Sequence, residues 1–211
     1  LPGSDGPANL DAAIRAVASD KLDGGVVLMD GLIHAPRYVR KTHTSRGGAF
    51  ESHPVTLGEI TDKGIVRFAH LDPFPFAFPA VLAPAPVALH VALMGDHGQL
   101  LSFVEAAGYR GLVIAGLGGG HVHPLMVPQL EQLATRMPVL VGSRTGSGTT
   151  LGTTYGYAGG EIDLLGRGIT LTGWLAPVKA RVALSLLLGA GATSDEITAF
   201  FAASGGASGR S

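Results

Sequence analysis

Residues 87–142, VALHVALMGDHGQLLSFVEAAGYRGLVIAGLGGGHVHPLMVPQLEQLATRMPVLVG, decide the fold class. Three short apolar runs, Val87–Met94, Gly111–Ala115 and Pro138–Gly142, read as strands. Two longer stretches lie between them. Gly98–Ala107 sets Leu100, Leu101, Val104 and Ala107 on one side of a helix that Gly108 ends, and Pro124–Arg136 predicts a second helix. Strands separated by helix-length connections predict a parallel sheet with helices on both faces.

The pattern continues downstream. Ile169–Thr172 reads as a further strand, and Pro177 opens a helix whose body, Val178–Leu188, is apolar with Lys179 and Arg181 facing out. Thr193-x-x-Glu196 is a capping box ahead of Ile197, Phe200 and Phe201. Residues 87–204 are thus expected to form one α/β domain, and 205–211 a disordered tail. Upstream, five prolines from Pro73 to Pro86, mixed with Phe74, Phe76 and Phe78, forbid helix and predict an extended linker over 69–86. Residues 1–68 form a separate portion. It holds a helix over Leu10–Ser19 capped by Asn9, with Leu10, Ile14 and Val17 on one face. A buried strand follows at Gly25–Met29, and Val55–Ile60 and Gly64–Phe68 flank the turn Thr61–Gly64.

Composition narrows the function. The 211 residues are 46% hydrophobic and 15% charged with a net charge of −1, which argues against nucleic acid or an acidic membrane surface as partner. No apolar run is long enough to span a bilayer. The absence of cysteine excludes disulfides, thiolate metal sites and cysteine nucleophiles.

Several residues could carry chemistry. Lys41 follows the Gly25–Met29 strand in Asp30–Thr44 (DGLIHAPRYVRKTHT), flanked by Thr42, His43 and Thr44. A lysine held in a loop at the end of a parallel strand would lose solvent and serve in proton transfer. Gly116–Gly120 with His121 follows a strand, so its bare amides suit a phosphate or carboxylate, although G-x-G-x-x-G spacing is absent. His121 and His123 lack a third metal-ligand partner nearby, so no metal is expected. The Ser143–Gly160 loop is rich in hydroxyls and glycines, and Glu161 closes it. Asp5 and Asn9 read as a turn and a helix cap.

Ser4-Asp5-Gly6-Pro7 with Asn9-Leu10, the Asp30–Thr44 stretch and Ala176–Val182 (APVKARV) resemble, in order and spacing, three stretches of the bacterial L-asparaginase/glutaminase family. The resemblance implies the remainder of an N-terminal flavodoxin-like parallel-sheet domain plus a smaller C-terminal α/β parallel-sheet domain. It implies hydrolysis of the side-chain amide of L-asparagine, with glutamine as a further substrate, through a threonine acyl-enzyme, without metal or organic cofactor. The family's TGGTI-type loop and TDT motif, which carry its two threonines, do not occur here. The chain is therefore expected to be the C-terminal part of a longer enzyme and to be inactive alone. Lys41 would act in the proton relay. Glu161 would bind the substrate's amino group across a subunit boundary, and Gly119 and His121 stand where the family's G-x-GNGN turn has asparagines. Tyr38 and Arg40 depart from the family's aspartate and threonine. A homotetramer built as a dimer of dimers and a cytoplasmic location are the corresponding expectations. Three alternatives stand beside this reading: the asparaginase-like subunit of a tRNA amidotransferase, an inactive amino-acid-binding module, and a nucleotide-dependent enzyme using Gly116–Gly120.

Overall fold

A computed structural model describes residues 4–19, 21–22, 24–71, 74–77, 80 and 83–209. Pro73, Phe78 and Pro79 of the expected linker, and the last two residues of the expected tail, lie outside them. The chain divides into two compact units, 1–74 and 75–211, each described by itself.

In the first unit, α1 spans Gly6–Val17. It begins earlier than the expected Leu10, with Pro7 in the first turn, where a missing N–H is harmless. Asn9 consequently lies inside the helix and does not cap it. The buried face is Ala12 and Ala16, whereas Leu10, Ile14 and Val17 are exposed, the reverse of the expected orientation. Strands β1 (Val27–Met29), β2 (Leu32–His34), β5 (Gly58–Thr61) and β6 (Gly64–Arg67) form a sheet in the order β1-β2-β5-β6, with every pairing antiparallel. Strands β3 (Val39–Lys41) and β4 (Phe50–Ser52) form a separate antiparallel pair.

This corrects the flavodoxin-like parallel sheet expected for this portion. Asp30 and Gly31, at φ 53° and 75°, close a two-residue turn between Met29 and Leu32. Positive φ at both central positions is the twist a tight hairpin requires, so β2 returns beside β1 at once instead of crossing over. Strand β1 is half-buried along its length, not fully buried. The second expected hairpin forms, with Thr61 facing Gly64.

In the second unit, β7 (Val87–Val91), β8 (Gly111–Gly116), β9 (Val139–Ser143) and β10 (Thr170–Leu171) form a parallel sheet whose spatial order follows the chain. Strand alternation divides the side chains. Leu112, Ile114, Val139, Val141 and Leu171 face a cluster with Leu101, Val127, Leu130 and Leu164 from the three crossovers. Val113 and Leu140 face the other way, onto Leu184, Leu187, Ile197 and Phe201. The crossovers contain a 3-10 helix (Gln99–Phe103), α2 (Val127–Ala134, preceded by a 3-10 turn at Pro124–Met126) and α3 (Glu161–Gly166). The opposite face is covered by α4 (Pro177–Gly189) and α5 (Ser194–Ala203). A sheet whose order runs with the chain puts all right-handed crossovers on one face, so the last two helices must cover the other.

Three details differ from expectation. The Gly98–Ala107 helix is a single 3-10 turn extended by turns, and Leu100 is exposed while Leu101 and Val104 are buried. Arg181 does not simply face water, because its Nε donates to the Val87 carbonyl at 3.0 Å. The glycine-rich end is not disordered over residues 205–209. Leu171 N–H donates to the Ala207 carbonyl at 2.7 Å and Gly206 N–H to that of Phe201 at 2.9 Å. A Cβ on Gly206 would collide with the Leu171 carbonyl oxygen, so this glycine serves close backbone approach. The capping box of α5 is complete, with Thr193 and Glu196 each bonded to the other's backbone N–H. Among the described residues no helix is long and apolar enough to cross a membrane.

Candidate functional site

Ligands of open α/β sheets bind beyond the carboxyl ends of the strands. In the second unit two loops occupy that edge: Leu117–His121 after β8, and residues 144–160 after β9. The first folds back on itself, Leu117 N–H donating to the His121 carbonyl at 2.8 Å and His121 N–H to that of Leu117 at 2.9 Å. This return turn presents His121. In the same turn Gly119 packs against the second loop. Its carbonyl accepts Leu151 N–H at 2.9 Å, and a Cβ there would stand 2.6 Å from Leu151 Cγ. Its observed role is to seat the second loop.

That loop, long and polar in sequence, is tied to the first loop and to the start of α3. The Ser143 hydroxyl donates to the Gly118 carbonyl at 2.5 Å, Val122 N–H to Gly159 at 3.0 Å, and Ile162 N–H to Tyr155 at 3.2 Å. The result delivers Glu161 to the first position of α3 with 0% exposure. One carboxylate oxygen accepts the backbone N–H groups of Thr154 and Tyr155, both at 2.7 Å. The other meets His121 Nε2 at 2.8 Å. Burial pushes this carboxyl up, but the amides of Tyr155, of Glu161 itself and of Thr154, together with His121, outweigh it. The group is held below the ordinary carboxylate range. Glu161 is thus a buried, hydrogen-bonded anion and not a solvated neighbour of Asp163, whose carboxylate is engaged by Arg167 at 2.9 Å.

The second ring nitrogen of His121, Nδ1, lies 2.7 Å from the Tyr157 hydroxyl. The rings of Tyr155 and Tyr157 stand edge-on to the imidazole, 5.4 and 5.5 Å between centroids. Neither tyrosine stood out in the sequence; their only signal was two aromatic residues inside a loop of glycines and hydroxyls. His123 is placed elsewhere, accepting Leu125 N–H through Nδ1 at 3.2 Å and stacking on His97 at 4.6 Å. A further pair escaped notice: His90 Nε2 lies 2.6 Å from Asp96, which also accepts Gly98 N–H at 2.9 Å. The Gly98 amide, against the opposing effect of burial, and then His90 hold Asp96 below its ordinary range.

In the first unit Lys41 is the last residue of β3, opposite Phe50, and it is solvent-exposed with Nζ 5.6 Å from the Phe50 ring centroid. It does not sit in a shielded loop after a parallel strand, because the hairpin at Asp30-Gly31 intervenes. Thr42 beside it donates through its hydroxyl to Glu51 at 2.9 Å. The Asn9 side chain accepts Asp30 N–H at 3.0 Å, and Asp30 accepts Gly48 N–H at 2.9 Å, which fixes α1, the hairpin and the loop after β3 together. Asp5 stands at the head of α1 and makes no side-chain cap.

Comparison with known proteins supplies the context. Residues 86–201 match the family described as the glutaminase/asparaginase C-terminal domain, and residues 1–71 match asparaginase, N-terminal. A probable L-asparaginase of Deinococcus radiodurans is 37% identical over 204 residues, covering 93% of this chain and 62% of that protein. One of the subunits of glutamyl-tRNA(Gln) amidotransferase from Pyrococcus abyssi is 31% identical over 143 residues, 62% of this chain and 32% of its own length. The crystal structure of a probable cytoplasmic L-asparaginase from Campylobacter jejuni superimposes with a TM-score of 0.80 at 26% identity, covering 94% of this chain and 62% of that one. The chain thus spans about three-fifths of the asparaginases it matches.

Proposed function

Because the chain belongs to the glutaminase/asparaginase family, we propose that it carries the substrate-orienting part of an amidohydrolase acting on L-asparagine, with glutamine as a further substrate. The observation that carries this reading is Glu161: a fully buried carboxylate, bonded at both oxygens, at the carboxyl edge of a parallel sheet. A fixed negative charge there favours the ammonium end of an amino acid over a phosphate or a dicarboxylate lacking an amine. In the acyl-transfer chemistry proposed, a threonine hydroxyl attacks the amide carbon, ammonia leaves, and water releases aspartate. Lys41, exposed at the end of β3, is proposed to shuttle the proton. No metal or organic cofactor enters the scheme. A homotetramer and a cytoplasmic location complete the proposal.

The test uses two measurements. Calorimetry on the 211-residue chain should detect L-aspartate binding without ammonia release from asparagine. Joining a segment that bears the two threonine motifs should then restore release, and Lys41→Ala should abolish it. No aspartate binding, together with no release from the extended chain, overturns the reading. A second reading rests on the amidotransferase relative: water would still release the acyl group, and the ammonia would pass to an acceptor and not into solution. Ammonia formation that rises on adding glutamyl-tRNA and the cognate amidotransferase partner would favour it.

A further inference from the structure

The pair His90 and Asp96 has no part in the amide chemistry proposed above. His90 stands on β7, the edge strand at the opposite side of the sheet from β10. Both side chains are largely covered, at 13% and 17% exposure, and Nε2 lies 2.6 Å from the carboxylate. An ionised carboxylate carries no proton, so His90 donates through Nε2, and a singly protonated ring leaves Nδ1 as an acceptor. Among the described residues Nδ1 has no protein hydrogen-bond partner. The carboxylate behind the ring strengthens that acceptor.

His90 lines a cavity of about 330 Å³ along β7, within the range of small-molecule sites. Leu100, Leu101, Val104 and Tyr109 of the crossover to β8 give it apolar walls. Arg181 of α4 also lines it, with Nε tied to the Val87 carbonyl at 3.0 Å. The two terminal nitrogens of Arg181 have no protein partner among the described residues. The acids of the crossover are already engaged, Asp96 by His90 and the Gly98 amide, Glu105 by Arg136. One cavity therefore holds an unneutralised guanidinium, an apolar wall and an imidazole acceptor. Val87, which anchors the guanidinium, and His90 are three residues apart on an extended strand, about 10 Å.

We propose that this cavity binds a small aryl carboxylic acid bearing a phenolic hydroxyl. The carboxylate lies on the terminal nitrogens of Arg181, the ring packs on Leu101, Val104 and Tyr109, and the hydroxyl donates to Nδ1 of His90. A guanidinium and a carboxylate form a charge-assisted pair. A phenol is a more acidic donor than an aliphatic alcohol, which suits an imidazole backed by a carboxylate. No residue of this site belongs to the Glu161 network.

Calorimetry on the 211-residue chain with 3-(4-hydroxyphenyl)propionate should show saturable binding. Removing the hydroxyl, in 3-phenylpropionate, should weaken binding by about 5-fold, as for a hydrogen bond between neutral groups. Removing the carboxylate, in 4-ethylphenol, should weaken it by about 10-fold or more, as for a bond to a charged group. This series on the wild type needs no variant to fold. His90→Leu should abolish the discrimination against 3-phenylpropionate. Arg181→Lys keeps the charge but loses the planar fork, so it should weaken both acids and leave 4-ethylphenol unchanged. Nitrogen-15 shifts of His90 should show Nε2 protonated in the free protein, with Nδ1 responding to the phenolic acid. The proposal is overturned by absence of saturable binding, by equal binding of the three compounds, or by discrimination that survives His90→Leu.

Discussion

The side-chain oxygen of Asn9 accepts the backbone N–H of Asp30 at 3.0 Å, so a residue early in α1 holds the tip of a hairpin 21 residues away. Asn9→Ala would leave that N–H without its partner and release the Asp30 carboxylate from its place beside Gly48. The expected loss is about 1 kcal/mol, read as a lower urea midpoint with an unchanged slope. Asn9→Asp keeps the acceptor and should retain most of the stability. An unaltered midpoint in the alanine variant would show that the bond contributes nothing.

Glycine substitutions separate conformation from space. Gly31 sits at φ 75° with only the Ile60 carbonyl near, so Gly31→Ala should destabilise by about 1 kcal/mol through backbone strain alone. Gly159 combines φ 85° with a backbone so close that an added Cβ would collide with the Val122 oxygen. Gly159→Ala should lower the thermal midpoint further and disturb His121 and Glu161. Equal effects of the two variants would contradict the close approach at Gly159.

Acid should weaken the two units in different pH windows. Burial, against the opposing charge of Asp30, lowers His34 from its ordinary value of 6.5. A group whose folded value lies below its unfolded one binds protons preferentially when unfolded. The first unit therefore keeps this stability above about pH 6.5 and loses it as pH falls toward the folded value. Glu161 follows the same sign from about pH 4.3 downward, its stabilisation being complete above that value. Urea midpoints followed by His34 and Tyr157 resonances should fall in that sequence. His34→Gln should flatten the first decline and Glu161→Gln the second; a single decline insensitive to both would contradict the assignments.

Truncation tests the docked end of the chain. Removing residues 205–211 takes away the acceptor of Leu171 N–H and the Gly206 bond to Phe201. A thermal midpoint lower by several degrees is expected, matching about 1–2 kcal/mol for two backbone bonds. Phe201→Ala, at a site of 0% exposure, should be worse, at about 3–5 kcal/mol. A truncated chain as stable as the parent would mean the segment is merely laid on the surface.

How much of this was readable depended on the range of the interactions. The runs Gly111–Ala115 and Pro138–Gly142 announced buried parallel strands because each is apolar on both faces, and Thr193 with Glu196 announced a helix start within four residues. The Asp30-Gly31 dipeptide between two apolar runs was a hairpin signal, but the length of GVVLM favoured a sheet interior. The exposure of Lys41 followed from that turn. Tyr157 joins His121 across 36 positions of sequence, through a loop closed by bonds such as Ser143 to Gly118. No local pattern encodes a meeting of that kind. The terminal glycines show the same limit from the other side: composition suggested disorder, while Leu171 needed partners without side chains.

The strand order of the second unit bears on how the protein is made. Each of β8, β9 and β10 pairs with the strand synthesised just before it, so every ring closed during assembly is short and its entropic penalty small. A ribosome delivers such a sheet in the order in which it is built, with no strand waiting for a later neighbour to wedge between it and its partner. α4, α5 and the 205–209 segment arrive afterwards, and until the two helices do, Val113 and Leu140 stay open to water. The hazard for the nascent chain is therefore concentrated in the interval between β10 and Phe201.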